Sequence, residues 1–257
     1  MHRYVFAGGL HRSGTSLAAR LMGALPGVAA IEGAPVPENE GVYLQGAIPH
    51  TARHGQPMQF ATDPDQHLIE GCAWDRLEVR QRMEADWAPW FGPGDWRAEK
   101  SPVNLIRMRL YQQLFPLSQF VVVIRHPQAV AAAVSKWVDL PVPQMIDHWI
   151  AAHRIVAADL AYLHAAIVLR YEDLVARPAP ACAALAAWLA VPPPPARGEA
   201  IRDGNADYPA PAALSDAQSA AIARWGYGDC GMVHPRPLQV SHPLDAVRRA
   251  TLAAWEG

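Results

Sequence analysis

Cysteine is scarce in this chain, and its few cysteines are not spaced to form a metal or redox motif. The three are Cys72, Cys182 and Cys230, and no two of them have C-x-x-C spacing. A sparse, odd-numbered set of cysteines is typical of buried or incidental thiols in a reducing compartment. We therefore expect a cytoplasmic protein whose thiols are free.

Long apolar runs and excess charge are missing as well. No segment approaches the roughly 20 apolar residues of a membrane span, and the first apolar run breaks at Gly8, short of a signal peptide. The formal net charge of the 257 residues is −2, which gives no electrostatic basis for a nucleic-acid or membrane partner. With 51% hydrophobic residues, we expect a single domain over residues 1–257, although residues 190–257 show little pattern.

Short apolar runs alternate with helical patterns along most of the chain. The predicted strands are residues 3–8, 96–100, 119–124 and 166–171. The predicted helices are residues 15–25, 77–91 in their first part, 104–115, 127–137, 142–163 and 215–225. This alternation predicts an α/β fold in which a parallel β-sheet is flanked by helices.

The segment between the first strand and the first helix, GGLHRSGTS, resembles a phosphate-binding loop that has lost its lysine. Gly9 and Gly14 have the G-x-x-x-x-G spacing of that loop. Such a turn holds phosphate with inward-pointing backbone N–H groups and with the positive end of the following helix. Nucleoside triphosphatases place a lysine next, whereas this chain has Thr15 there and a cation earlier, at Arg12. The pattern predicts a phosphate site and argues against ordinary ATP hydrolysis.

At these residues the chain resembles the sulfotransferases, which use 3′-phosphoadenosine 5′-phosphosulfate (PAPS) as sulfuryl donor. Their 5′-phosphosulfate loop follows the first strand, and HRSGTS is similar to it. The resemblance implies a P-loop-like three-layer α/β sandwich with PAPS as the donor. It also implies which residues hold the 5′-phosphate and the sulfate: Arg12, Ser13, Gly14, Thr15 and Ser16.

Three later stretches resemble the same family in the same order, so that the resemblance covers about residues 4–190. FVVVIRHPQ resembles the strand and helix that bind the 3′-phosphate, which makes Arg125 the phosphate ligand. The family has serine eight residues further on, where this chain has Ala133, and Ser135 is the nearby candidate. EKSPVN resembles the segment before that strand. In RYEDLV, Tyr171 is a candidate nucleotide contact.

Sulfuryl transfer needs positive charge at the leaving phosphate and a base for the proton of the acceptor. The resemblance assigns the charge to Lys100 with help from Arg12, so the scheme needs no metal. For the base, two branches of the family use a glutamate soon after the first helix. Glu40 is preferred here, with Glu32 and Glu38 as competitors.

Histidine is a further possibility for the base, because the branch that sulfates small molecules uses one. His50, His54 and His67 are available, although none has a matching context. The pair His50 and His54 also has the spacing of metal ligands on a helix. Pro49 and Gly55 flank that pair and oppose a helix there, so we predict no metal site.

The sequence does not identify the acceptor beyond a small molecule or a peptide. Four tryptophans lie in the stretch where an acceptor pocket could form: Trp74, Trp87, Trp90 and Trp96. If they line a pocket, they favour an aromatic or lipid-like acceptor; if they are core residues, they give no information about the acceptor.

Two other functions stay open. One is a P-loop kinase or nucleotide-binding protein, which would need an acidic magnesium ligand where the strand ends in Arg125. The other is a scaffold that has lost its activity, for which Ala133 gives slight support.

Overall fold

The computed structural model describes residues 2–50, 57–194, 201–208 and 213–257. His54, one of the candidate bases, lies outside the described residues. Within the described ranges, no helix is both long and apolar enough to cross a membrane.

The described residues form one six-stranded sheet with the spatial order β2-β3-β1-β4-β5-β6. The strands are β1 (Arg3–Gly8), β2 (Val28–Ala30), β3 (Trp96–Lys100), β4 (Gln119–Ile124), β5 (Ala166–Arg170) and β6 (Gln239–Ser241). The first five are parallel to their neighbours, and β6 pairs with β5 in the antiparallel sense at one edge. The predicted α/β fold with a mainly parallel sheet is therefore confirmed.

Helices cover the sheet wherever the chain crosses from one strand to the next. They are α1 (Thr15–Gly23), α2 (Gly41–Leu44), α3 (Leu77–Trp87), α4 (Met108–Leu114), α5 (Pro127–Val134), α6 (Val142–Asp159), α7 (Tyr171–Ala176), α8 (Pro178–Leu189), α9 (Asp216–Ala223) and α10 (Asp245–Glu256).

The central strands are apolar on both faces, and successive residues point into different cores. In β1, Tyr4 and Phe6 belong to one apolar cluster, whereas Val5 and Ala7 belong to the other. The first cluster packs on α3, α4, α5 and α6, and the second packs on α1, α7, α8 and α10. Because strand side chains alternate in direction, this division is what a sheet between two helical layers requires.

The parallel arrangement brings the candidate functional residues to one edge of the sheet. Strands β1, β3, β4 and β5 all end there, and Lys100 is the last residue of β3. Arg125 directly follows β4, and Tyr171 directly follows β5. Ligand sites in open α/β sheets lie at this carboxyl edge.

Candidate functional site

The loop between β1 and α1 is held in a conformation that depends on glycine. Gly14 has φ +96°, the left-handed region, and precedes the first residue of α1, Thr15. A Cβ atom on Gly14 would lie 2.6 Å from the ring of Tyr171, and one on Gly9 would lie 2.5 Å from the carbonyl oxygen of Val123. Both glycines therefore let the loop pack closely against neighbouring strand ends.

Ser13 lies at the centre of this loop with a buried hydroxyl that has no partner. Its backbone N–H donates to the carbonyl of Leu10 at 3.0 Å, and its side chain is 0% exposed. Among the described residues, Ser13 Oγ finds no hydrogen-bond partner. A buried hydroxyl without a partner costs free energy, so its presence points to a ligand that bonds to it.

Arg125 also carries a buried polar atom without a partner among the described residues. Its Nε donates to Asn205 Oδ1 at 2.7 Å, and its Nη1 donates to the carbonyl of Arg12 at 2.9 Å. Its Nη2 is buried and unpartnered within the described ranges, and the side chain is 4% exposed. The guanidinium also stacks on the ring of Tyr171 at 4.3 Å. Burial lowers the pKa of Arg125 because the charge is desolvated.

Arg12 links the loop to a segment near the C-terminal part of the chain. It is exposed, has φ +67°, and donates from Nη2 to Tyr208 Oη at 3.3 Å. The ring of Tyr208 in turn lies 5.7 Å from the guanidinium of Arg125. The cations of Arg12 and Arg125 are thus placed around one small region above the ends of β1 and β4.

Lys100 and Glu40 form a buried ion pair at the end of β3. Lys100 Nζ donates to Glu40 Oε1 at 3.1 Å, and the two residues are 6% and 8% exposed. Burial raises the pKa of Glu40, and Lys100 opposes that rise. Next to the pair, Glu99 receives three hydrogen bonds, from Gly41 N, Ser101 Oγ and Asn104 Nδ2. These bonds fix the strand end that carries Lys100.

A cleft of about 500 Å³ lies between α1, the ends of β2 and β3, and residues 32–39. Both Ser16 of the loop and Lys100 line it, and so do Glu32 and Glu38. Ser16 Oγ donates to Glu38 Oε2 at 3.1 Å. The cleft therefore connects the phosphate loop to the Lys100–Glu40 pair.

Comparison of this chain with known proteins shows the family to which it belongs. The model of the sulfotransferase family matches residues 5–195, which include the loop, Lys100, Arg125 and Tyr171. The chain belongs to the sulfotransferase family. No curated protein matches it significantly by sequence.

Solved structures of other sulfotransferases share the fold. The sulfotransferase domain of the olefin synthase of Synechococcus PCC 7002 is 15% identical, with a TM-score of 0.53 over 88% of this chain and 94% of that domain. Sulfotransferase STF9 of Mycobacterium avium is 12% identical, with a TM-score of 0.54 over 87% of this chain and 76% of that one. At these identities the likeness concerns the fold alone.

The hydroxyl of Ser135 bonds within its own helix. This residue is exposed at the end of α5, and its hydroxyl donates to the carbonyl of Ala132 at 2.9 Å. Ala133 is fully buried. A phosphate contact by Ser135 stays a prediction.

The other residues proposed as the base differ in their surroundings. Glu32 and Glu38 are exposed and line the cleft. His67 does not line it, and its Nε2 lies 2.8 Å from Asp159 Oδ2, within hydrogen-bond distance. His50 is buried with its ring against Tyr43 at 5.0 Å. Over the described ranges, no group of three or more His, Cys, Asp or Glu side chains is placed to hold a metal ion.

Several residues near the site could not be found from the sequence pattern. Tyr171 Oη accepts from the N–H of Gly204 at 2.7 Å, and Asn205 Nδ2 donates to Glu172 at 3.1 Å. His11, inside the loop, accepts from the N–H of Met58 at 3.1 Å, and burial lowers its pKa to about 4. The string RDGN at residues 202–205 is a turn signal, but a turn signal alone does not reveal its distant partners.

Proposed function

We propose that this sulfotransferase moves a sulfuryl group from PAPS to a hydroxyl or amine of a small-molecule or peptide acceptor in the cytoplasm. The observation that carries the proposal is that two polar atoms of the candidate site, Ser13 Oγ and Arg125 Nη2, are buried without a hydrogen-bond partner among the described residues. They lie at the carboxyl edge of neighbouring strands, on the loop after β1 and directly after β4. A donor with a phosphosulfate at one end and a 3′-phosphate at the other offers an acceptor oxygen to each.

The residues present fit such a donor in charge and in shape. A buried guanidinium that has no carboxylate in an ion pair with it is costly, and a 3′-phosphate would supply the missing anion. Gly9 and Gly14 let the loop pack closely against Val123 and Tyr171, and this packing sets the loop backbone whose N–H groups would face a phosphosulfate. The ring of Tyr171 already stacks on the guanidinium of Arg125 and holds its plane.

In this proposal the donor supplies an activated sulfuryl group, and the chain supplies positive charge and a base. Arg12 and the N–H groups at the start of α1 stabilise negative charge at the phosphosulfate end. Lys100 adds a cation from the end of β3, and its pairing with Glu40 holds the ammonium group in place. The loop has no use for a P-loop lysine because PAPS has no β- and γ-phosphate pair.

Glu40 is the proposed base, because burial raises its pKa and its carboxylate lies beside Lys100. A carboxylate with a raised pKa accepts a proton more readily than an exposed one. Glu38 is the second candidate, since it faces the cleft and is bonded to Ser16 of the loop. Glu40→Gln and Glu38→Gln separate the two, because the substitution at the base lowers kcat about 100-fold or more while bisphosphate binding persists.

Release of 3′-phosphoadenosine 5′-phosphate from PAPS, measured with a broad mixture of hydroxyl and amine acceptors, tests the function. Wild-type protein is expected to release the bisphosphate and to label an acceptor with ³⁵S. Lys100→Met removes the cation and is expected to abolish labelling. Arg154→Ala, an exposed change on α6, is the control that retains it. Labelling that survives in Lys100→Met contradicts the role proposed for Lys100.

A further inference from the structure

We propose that the cleft between α1 and residues 32–39 binds the acceptor, and that the acceptor is a polyhydroxylated, saccharide-like molecule. This inference rests on the proposed function and names the substrate class of that same site. Ser16 of the phosphosulfate loop and Lys100 both line the cleft. A molecule lying in it would therefore place a hydroxyl next to the groups that serve the transfer.

The size of the cleft suits a small polar molecule. Its volume is about 500 Å³, within the range of about 300–1,000 Å³ that is usual for small-molecule sites. One wall is made of small apolar groups, among them Ala19, Ala24, Ala30 and Ala98. These groups leave a smooth surface against which the carbon face of a sugar ring can lie.

Aromatic side chains are absent from the described lining of the cleft. Trp87 and Trp96 are 0% and 1% exposed and belong to the two apolar clusters. Trp74 and Trp90 are partly buried and pack against the first cluster. The tryptophans are thus core or core-packed residues, so the reason for expecting a phenol or a lipid-like alcohol disappears.

The rest of the lining carries hydrogen-bonding groups of both kinds. Glu32 and Arg20 line the cleft, and neither side chain makes a hydrogen bond or an ion pair with another described residue. Glu38 uses one carboxylate oxygen for Ser16 and keeps the other. Asn39 accepts from the N–H of Ala34 at 3.0 Å with its oxygen, which leaves its amide NH₂ to donate.

This set of groups favours hydroxyl groups over a single charge. Two carboxylates accept from hydroxyls, while a guanidinium and an amide donate to them, so adjacent hydroxyls on one ring can be bonded in both directions. Lys100 is already paired with Glu40, so the remaining charges of the lining are those of Arg20, Glu32 and Glu38, and these do not favour an anionic acceptor. A neutral ring with many hydroxyls satisfies these groups most completely.

The test compares two acceptors that share an aromatic group, p-nitrophenol and p-nitrophenyl β-glucoside, together with a panel of hexoses, hexosamines and uronic acids. The full chain is given ³⁵S-labelled PAPS, and labelled products are counted. We expect label on the glycoside or on members of the sugar panel, with kcat/KM above that for the phenol. Faster labelling of the phenol overturns the acceptor class.

Variants locate the effect in the cleft. Glu32→Gln is expected to lower kcat/KM for the sugar acceptor about tenfold, and Ala19→Leu is expected to raise its KM by filling the cleft. Glu78→Gln, on the exposed start of α3, is the matched control and should leave kcat/KM unchanged within about twofold. Equal effects of Glu32→Gln and Glu78→Gln overturn the proposed binding site.

Binding of 3′-phosphoadenosine 5′-phosphate, measured on the same proteins, keeps the two proposals apart. The cleft variants are expected to bind the bisphosphate like the wild type, because their side chains lie outside the loop and away from Arg125. If the bisphosphate binds but no sugar is labelled, the acceptor class is wrong and the nucleotide site stands. If the bisphosphate does not bind to the wild type, the proposed function itself fails.

Discussion

At the scale of single residues, Ser13 gives a prediction in which stability and binding change in opposite directions. Its buried hydroxyl has no partner in the described structure, so Ser13→Ala removes an unsatisfied polar group. We expect the free energy of unfolding without ligand to stay the same or to rise by about 1 kcal/mol. Affinity for the bisphosphate is expected to fall by about 1 kcal/mol, because the hydroxyl bonds to the ligand. Thermal unfolding with and without the bisphosphate measures both, and a loss of stability without ligand contradicts the account.

Arg125 is expected to contribute more to affinity than any other single residue of the site. Arg125→Ala removes the cation that meets the 3′-phosphate, along with its bond to the carbonyl of Arg12. We expect bisphosphate affinity to fall by about 2–4 kcal/mol, whereas Arg154→Ala on α6 leaves it unchanged. Calorimetry on the two variants gives the comparison, and similar affinities for both would contradict the assignment.

Site residues can be predicted from the sequence where they belong to one local motif. They cannot be predicted where they contact the site from a distant part of the chain. The loop and Arg125 follow directly after apolar strands, so their place at the carboxyl edge of the sheet could be predicted. Asn205 and Tyr208 lie about 80 residues after Arg125, and no periodic pattern connects them to it. The cleft could not be predicted from the sequence either, because the residues that line it come from α1, two strand ends and a loop.

At the scale of elements, the junction of the loop with α1 depends on Gly14. Its φ of +96° is strained for any other residue, and a Cβ atom would meet the ring of Tyr171 at 2.6 Å. We expect Gly14→Ala to destabilise the fold by at least about 1–2 kcal/mol and to weaken bisphosphate binding. Gly71→Ala is the control for backbone strain alone, because φ is +76° there and no atom lies within 4 Å of an added Cβ. Equal bisphosphate affinity in both variants would show that the contact with Tyr171 does not matter for binding.

The bounds of the strands and helices show which elements can be predicted from the sequence and which cannot. The four predicted strands occur, three with the predicted bounds and β5 one residue shorter, because Tyr171 begins α7. The helix predicted over 104–115 begins instead with a 3₁₀ turn at Pro102–Ile106, and α4 covers Met108–Leu114. Strands β2 and β6 were not predicted, since three residues each carry too little pattern. Helix α10 was missed as well, although its two buried residues, Thr251 and Trp255, have the i, i+4 spacing of one helical face.

At the scale of the whole molecule, buried histidines make stability depend on pH. The ring of His153 is 0% exposed and stacks on Trp149 at 3.7 Å, and burial lowers its pKa to about 4. The folded state keeps this ring neutral while the unfolded chain takes up a proton below its ordinary pKa of 6.5. The stability contributed by the neutral ring is therefore present above about pH 6.5 and is lost as pH falls toward 4.

His153→Phe isolates this effect from the other buried groups. His11 acts in the same direction, while Glu40 and Glu99, whose pKa values burial raises, act in the opposite one. We expect the wild type to lose up to about 1.4 kcal/mol per pH unit relative to His153→Phe between pH 6.5 and 4. Urea unfolding at several pH values measures this difference. A constant difference across that range would contradict a neutral His153.

The most direct measurement of the central claim is a calorimetric titration of the full chain with 3′-phosphoadenosine 5′-phosphate and with ATP, each with and without magnesium. The account predicts tight binding of the bisphosphate that does not depend on magnesium and is lost in Arg125→Ala. Binding of ATP that requires magnesium, with no binding of the bisphosphate, would contradict the account and favour a kinase. Absence of binding by both nucleotides would equally contradict it and favour a scaffold that has lost its nucleotide site.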